Sequence, residues 1–392
     1  MSSGDFLDKL LDGEAVEWKA LGEVTLPTTN IRWRDADRAY RYIDLTSVSI
    51  ETKKIADTPE ITFSNAPSRA QKLVEKNDVI FATTRPTQQR YCLIDDEYAG
   101  EVASTGYCVL RAKSDEVLPK WILYWIASTD FKTYVEENQS GSAYPAISDA
   151  KVKEFKIPIP SPENPKKSLA IQAEIVRILD TFTELTTELT TELTTRKKQY
   201  NYYRGQLLSF EEGEVEWKTL GEVARIKNGK DHKALGEGTY PVYGSGGIMR
   251  YADTYTYNKP SVLIPRKGSL GNLFFVDVPF WTVDTIFYTE IDEAQIRPKY
   301  FYYFLTTVGL GEMNQAGGVP SQTQSVLNKL KIPIPPLTEQ ARIVAILDTF
   351  DALTTSLTEG LPREIELRQK QYEYYRDLLL SFPKPVQAGE CP

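Results

Sequence analysis

The sequence predicts an α+β fold: two α/β domains separated by two long helices packed as an antiparallel coiled coil, pseudo-two-fold and circularly arranged. Three observations predict it. Four sequence blocks each occur twice, the segments between them do not resemble each other, and the apolar residues of the later blocks follow heptad spacing. VEWKALGEV at 16–24 returns as VEWKTLGEV at 215–223, and KIPIP at 156–160 returns at 331–335. IVRILDTF at 175–182 returns as IVAILDTF at 343–350, and RKKQYNYYRGQLLSF at 196–210 returns as RQKQYEYYRDLLLSF at 368–382. The shift differs from block to block, so these are rigid units joined by segments free to change length.

The blocks divide the chain into residues 1–155, a leader and first insert; 156–212, a central helical spacer; 213–330, the second insert; and 331–392, a C-terminal helical spacer. The leader LLDGE at 10–14 echoes the stretch after the first arm, whereas the second arm stops just after LLLSFPKP. The order is therefore circular, and the termini are expected to be neighbours in space.

Within the inserts, alternating apolar runs at 79–83 and 262–265 predict strands. LPKWILYWIAST and RPKYFYYFLTT each place Pro at the first helical position and predict one helix per insert. A Gly/Ser/Pro loop follows in each, GSAYPAIS at 141–148 and GGVPSQTQ at 317–324, at the same offset ahead of KIPIP. Small turn-forming residues with hydroxyls and amides suit a surface loop.

The first arm opens with Asn164 and Pro165, a cap and first turn. Ile171, Ile175, Ile178, Phe182, Leu185 and Leu189 then step by three and four, a heptad seam that passes through Leu193 to Tyr200, Tyr203, Leu207 and Phe210. TELT occurs three times in tandem at 183–194. Threonine is a weak helix former, but Leu185, Leu189 and Leu193 keep the register, so the tandem is expected to be helical. Each tetrad adds about 6 Å at 1.5 Å per residue, which makes the tandem a ruler between the inserts. The second arm repeats the seam through Ile343, Ile346, Phe350, Leu353, Leu357 and Leu361, then Tyr372, Tyr375, Leu379 and Phe382. Gly360 and Pro362 predict a break near Leu361. The repeated tryptophans Trp18 and Trp217 are expected to anchor each insert to its arm. Of the pairs Tyr202, Tyr203 and Tyr374, Tyr375, one ring falls on the seam and one beside it, and core packing is expected, with Arg204 and Arg376 left for a partner.

The chemistry is that of recognition. Three cysteines (Cys92, Cys108, Cys391) and one histidine, His232, give neither a disulfide framework nor a zinc site. The longest apolar run, 121–127, predicts no membrane span, and no leader resembles a signal peptide, so a cytoplasmic chain is expected. Phosphate-binding, methyltransferase-cofactor, metalloprotease and serine-hydrolase motifs are missing, and His232 reads as a surface residue beside Asp231. Catalysis by this chain is not expected, and neither a metal nor a bound cofactor is. The formal charge of −8, from 46 basic and 54 acidic residues, argues on its face against an anionic partner. It is an average over unlike parts. Residues 224–275 hold eight basic and three acidic residues, a local net of +5, together with five tyrosines and the run Gly244, Ser245, Gly246, Gly247. Basic side chains beside aromatics and glycine loops can neutralise phosphates and reach base edges. In the first insert the sharpest cluster is TTRPTQQR at 83–90, where Arg and Gln carry the bidentate geometry for guanine and adenine edges.

The duplicated frame with two dissimilar inserts, the KIPIP and IVRILDTF succession, the TELT tandem and the paired RKKQYNYYRGQLLSF blocks together resemble the specificity (S) subunit of type I restriction-modification systems. Within that family they are most similar to the subfamily whose spacer holds tandem TAEL-like tetrads. The resemblance covers essentially the whole chain. It implies a non-catalytic subunit in which each insert is a target recognition domain reading half of a bipartite, asymmetric site on double-stranded DNA, and the coiled coil sets the gap. Two methyltransferase (M) subunits carrying S-adenosylmethionine would dock on the frame, with restriction (R) subunits joining for cleavage. The alternative is a coiled-coil scaffold whose inserts bind proteins without reading DNA. No base contact carries over from the family, so the DNA-facing residues follow from chemistry and loop position alone. In the first insert they are Arg85, Gln88, Gln89, Arg90, Ser142 and Tyr144. In the second they are Lys230, Tyr243, Ser245, Arg250, Arg266, Lys267, Ser269, Gln322 and Gln324.

Overall fold

A computed structural model of the chain describes residues 4–211, 213–313, 319–356 and 358–384. Leu357, Gly317, Gly318, Cys391 and the two extreme ends lie outside the described residues. The chain forms two units: one runs to Leu189 and resumes at Ile365, the other is Thr190–Glu364. Each takes one insert and part of both helical spacers, as the α+β expectation requires.

Each insert is closed by its flanking repeat blocks. Val16–Ala20 pairs antiparallel with Lys156–Pro160, with Trp18 opposite Pro158, and Glu216–Thr219 pairs with Lys331–Ile334, with Trp217 opposite Pro333. A two-stranded ribbon consists only of edges, so it tolerates the prolines that a central strand would reject. The repeated VEWK and KIPIP blocks are thus the two halves of one clasp.

In the first unit two four-stranded sheets form. One has the order Thr25–Leu26, Tyr107–Ala112, Val79–Ala82, Tyr91–Leu93; the other is Glu60–Ile61, Tyr40–Ile43, Val102–Ser104, Ala70–Leu73. Helix Pro119–Ile126 buries Trp121 and Trp125, which stand edge-on to each other and, respectively, to Phe382 and Trp18. The short helix Gly4–Leu11 is not among the elements expected from the sequence; its Leu7 and Leu11 fall on one face and join the core beside Leu379, Leu380 and Phe382. Trp18 Nε1 donates to the carbonyl of Pro383 at 2.8 Å. The described ends of the chain are therefore neighbours, as the circular order predicts.

The second unit holds a four-stranded sheet of Ala224–Asn228, Ile286–Ile291, Ser261–Pro265 and Phe274–Val276, and a three-stranded sheet of Gly247–Ala252, Tyr240–Gly244 and Trp281–Thr282. Helix Pro298–Leu305 buries Tyr300, Phe301, Tyr303, Phe304 and Leu305.

The spacers make the same contacts in both units. Gln172, fully buried, accepts from Leu118 N and donates to Glu116 O; Gln340 accepts from Arg297 N and donates to Gln295 O. Asp180 accepts from Tyr124 Oη and Lys120 Nζ, and Asp348 from Tyr303 Oη and Lys299 Nζ. Burial and the neighbouring carboxylate both hold the Tyr124 and Tyr303 hydroxyls above their ordinary pKa, so they stay donors.

Pro165–Leu207 is one helix of 43 residues. Asn164 Oδ1 caps it by accepting from Lys167 N at 3.2 Å. The threonine-rich tandem is helical throughout, and its hydroxyls turn back on the preceding turn: Thr186 Oγ1 donates to Phe182 O at 3.0 Å and Thr194 Oγ1 to Thr190 O at 2.9 Å. That bond satisfies the hydroxyl without breaking the ladder. Leu185, Leu189 and Leu193 are half-buried along this stretch. The second arm is broken as expected, into Leu337–Thr355 and Gly360–Leu379. Gly360 has φ +76°, and a Cβ there would lie 2.4 Å from Ala352 O, so the turn requires glycine.

In the first unit Phe182 stacks on Tyr375, and in the second Phe350 stacks on Tyr200 and Tyr203. The Tyr pairs therefore divide without entering the core: one ring of each stacks on a seam Phe, yet Tyr203 and Tyr375 remain 46% and 38% exposed, and Tyr202 and Tyr374, off the seam, 64% and 62%. The anchoring role likewise divides. Trp18 is tied into the core, whereas Trp217 is 37% exposed.

Candidate nucleic-acid interface

Both units present a surface made from the loop after one buried strand and the Gly/Ser/Pro loop ahead of KIPIP. In the first, strand Val79–Ala82 leads into Thr83, Thr84 and Arg85. Thr84 bridges to Ala146, Arg85 N donates to Pro145 O at 2.7 Å, and Ile147 N donates to Thr83 O at 2.9 Å. In the second, strand Ser261–Pro265 leads into Arg266, Lys267 and Gly268. Lys267 bridges to Ser321, Gly268 N donates to Pro320 O at 2.8 Å, and Gln322 N donates to Arg266 O at 3.0 Å. The three backbone links coincide position by position while every paired side chain except the proline differs. A shared backbone clamp thus carries exchangeable side chains.

In the first unit the clamp exposes Arg85, Gln88, Ser142 and Tyr144. Arg85 sits in the left-handed region, φ 50°, and its guanidinium lies 5.4 Å from the Tyr144 ring centroid. A cation over an exposed aromatic is a platform for a phosphate or a base. Arg90 and Gln89 are held back by the fold. The Arg90 guanidinium donates to the carbonyl of Val48, and the Gln89 carbonyl accepts from Lys53 Nζ, which lies 4.5 Å from the Tyr91 ring centroid. Burial, and then the charge of Arg90, bring the Lys53 pKa down to about 8. Lys53 braces the TTRPTQQR loop from below, and only its partner 36 residues away reveals this.

In the second unit Lys230, Lys267 and Ser269 are exposed and Ser245, Arg250, Arg266 and Gln324 half-buried. Ser245 N donates to Thr285 Oγ1 at 3.3 Å, and Asn272 Nδ2 to Ser245 O at 3.3 Å, which fixes the glycine-rich hairpin tip against the clamp. Arg250 is tied to the carbonyls of Leu235 and Gly236, and Gln324 Nε2 donates to Asn228 Oδ1 at 3.2 Å. Two residues expected to face DNA are engaged in packing or in holding the loop. Tyr243 packs against Phe274 and Phe280, and Gln322 is 2% exposed, its amide donating to Pro265 O at 2.6 Å. Gln322 occupies the clamp position that Ile147 takes in the first unit, so it holds the loop. Among the described residues no cluster of three or more His, Cys, Asp or Glu could hold a metal ion. No described helix is long and apolar enough to cross a membrane. Cys92 and Cys108 are buried, and burial pushes both thiols up to about 12, which leaves them unreactive.

Residues 22–196 and 212–367 match the family described as the type I restriction modification DNA specificity domain. The chain belongs to this family. It is 38% identical over 416 aligned positions to a type I restriction enzyme specificity subunit of Escherichia coli, covering 98% of this chain and 99% of that one. It is 33% identical over 381 positions to the EcoprrI specificity subunit, also of Escherichia coli, covering 92% and 93%. Among solved structures, a chain from a study of complex assembly and conformational transition of the type I R-M system superposes with TM-score 0.63 at 23% identity, covering 93% of this chain and 97% of that one. The S subunit from M. genitalium superposes with TM-score 0.60 at 18% identity, covering 96% and 98%. At those identities the structures speak for the fold, which they share over 93% and 96% of this chain.

Two matches to the specificity domain in one chain coincide with the duplicated frame. Each carries one clamp and one Gln/Asp contact set from its spacer; the second also holds its whole clasp, whereas the first begins just after the clasp strand Val16–Ala20.

Proposed function

We propose that this chain is the DNA-reading subunit of a type I restriction-modification assembly and carries out no chemistry itself. The observation that carries this reading is the shared backbone clamp presenting unlike side chains: a frame kept constant and a reading surface left free to vary. Each insert reads one half of a bipartite, asymmetric site, with Arg85, Gln88, Ser142 and Tyr144 in the first and Lys230, Ser245, Arg266, Lys267 and Ser269 in the second. Two methyltransferase subunits, which bring S-adenosylmethionine, dock on the frame, where the exposed rings Tyr202 and Tyr374 recur in corresponding places. Restriction subunits join for cleavage, and the assembly works in the cytoplasm. Because the chain is acidic overall, basic surface on the methyltransferase subunits supplies part of the electrostatic attraction to DNA.

The helix spacer sets the gap between half-sites. Deleting residues 187–190 removes one TELT unit and about 6 Å of helix. Methylome sequencing of the variant is expected to return the same two half-sites with a shorter gap; changed half-sites at a fixed gap would rule the spacer out. Salt titration of DNA binding separates DNA reading from a protein scaffold. With 6 to 10 phosphate contacts, affinity falls roughly 10³- to 10⁵-fold between 50 and 200 mM salt, and a flat profile favours the scaffold.

A further inference from the structure

The hairpin Tyr240–Gly244 and Gly247–Ala252 contains a β-bulge that the clamp does not need. Val242 pairs with Arg250 and Tyr243 with Ile248, which leaves Met249 without a partner across the ladder. A bulge gives up ladder pairing and re-aims one side chain. Here the re-aimed side chain is a methionine 58% exposed to solvent. Its path is set by a missing Cβ: a Cβ on Gly244 would lie 2.7 Å from Met249 Sδ and 3.5 Å from Thr285 Oγ1. Met249 therefore crosses Gly244 and lies beside Thr285, whose carbonyl accepts from Arg266 N at 2.8 Å and Lys267 N at 3.2 Å. The apolar tip is continuous with the basic end of the clamp, and a Cβ on Gly268 would lie 3.3 Å from Ser245 Oγ, which places the serine on the same rim.

We propose that Met249 is a specificity-determining residue of the second recognition domain, making apolar contact with the C5-methyl group of a thymine in the major groove. The inference rests on the DNA-reading function proposed above. The charge of the surroundings selects this occupant: Arg266 and Lys267, bonded through their backbone to Thr285, supply the cations of this rim, with Lys267 Nζ also 4.0 Å from Asp284 and the Arg266 guanidinium 5.9 Å from the Phe287 ring centroid, and phosphate contacts lie beside base-reading side chains. The major-groove edge of an A·T pair offers one apolar feature, the thymine methyl, and a flexible unbranched thioether can fit it. The first unit holds no counterpart: Arg85 and Tyr144 occupy its reading surface.

The test uses the full chain with its methyltransferase subunits, on duplexes in which each thymine of the second half-site is replaced in turn by uracil, which pairs alike but lacks the methyl. Wild type is expected to lose about fourfold in methylation rate at one position, the worth of burying one methyl-sized group. Met249→Ala is expected to be about fourfold slower on the parent duplex and indifferent to that replacement, whereas Met249→Leu keeps the sensitivity. A wild type indifferent to every replacement, a second half-site without an A·T pair, or an alanine variant with unchanged sensitivity overturns the inference. The underlying reading fails differently: exchanging residues 224–330 for another insert would then leave the methylated sequence unaltered.

Discussion

In the first half of the chain Gln172 clips the start of helix Pro119–Ile126 to the long helix, and Asp180 receives Tyr124 and Lys120; in the second half Gln340 and Asp348 do the same for helix Pro298–Leu305. The surfaces carried above these contacts share no such likeness. One offers Arg85 over Tyr144, the other a basic clamp beside Met249 on a bulged hairpin. Burial explains the division. The Gln side chains are fully buried and bond backbone N–H and C=O groups, and the part-buried Asp carboxylates each take a Tyr hydroxyl and a Lys ammonium, so their geometry tolerates little change. The clamp is held by main-chain bonds, which any side chain can accompany.

The largest test of this likeness is to remove the buried amides. Gln172→Leu and Gln340→Leu each leave buried backbone N–H and C=O groups unpaired and are expected to cost about 3 kcal/mol. Urea denaturation should show similar losses for the two; a large loss in one and none in the other would break the equivalence.

A smaller effect sharpens the contrast between the arms. Gly360→Ala places a Cβ against Ala352 O at a positive φ and is expected to destabilise by about 2 kcal/mol. Gly205 lies within the unbroken helix with nothing within 4 Å of its Cβ position, so Gly205→Ala is expected to stabilise by about 0.5 to 1 kcal/mol. Equal signs in thermal denaturation would contradict the account of the break.

The smallest effect concerns pH and belongs to the first half alone. The folded chain releases the Lys53 proton near pH 8 and the unfolded chain near 10.5. The unfolded state thus binds more protons between those values, and stability contributed through Lys53 rises with pH across that window. Relative to Lys53→Met, the wild type is expected to gain stability from about pH 8 upward; a constant difference would remove the charge argument.

Much of this architecture was legible in the repeats. The helix carrying TELT, the break at Gly360 and the matched position of the two loops all follow from local signals: turn residues, heptad steps and blocks that recur. What escaped depends on partners distant in sequence. Arg90 reads as a base-contacting side chain until Val48 takes its guanidinium, Gln322 until its amide turns to Pro265, and Lys53 gives no signal at all. The bulge at Met249 was hidden for the same reason, since register is a property of two strands. The family membership of the chain, by contrast, needed only the order of the blocks.

Methylome sequencing of cells expressing this chain with its methyltransferase subunits, before and after replacing residues 25–155 with the corresponding insert of another specificity subunit, tests the central claim most directly. One half-site is expected to change while the other half-site and the gap stay as they were. Methylation that moves in both half-sites, or in neither, would contradict a frame that carries two independent reading domains.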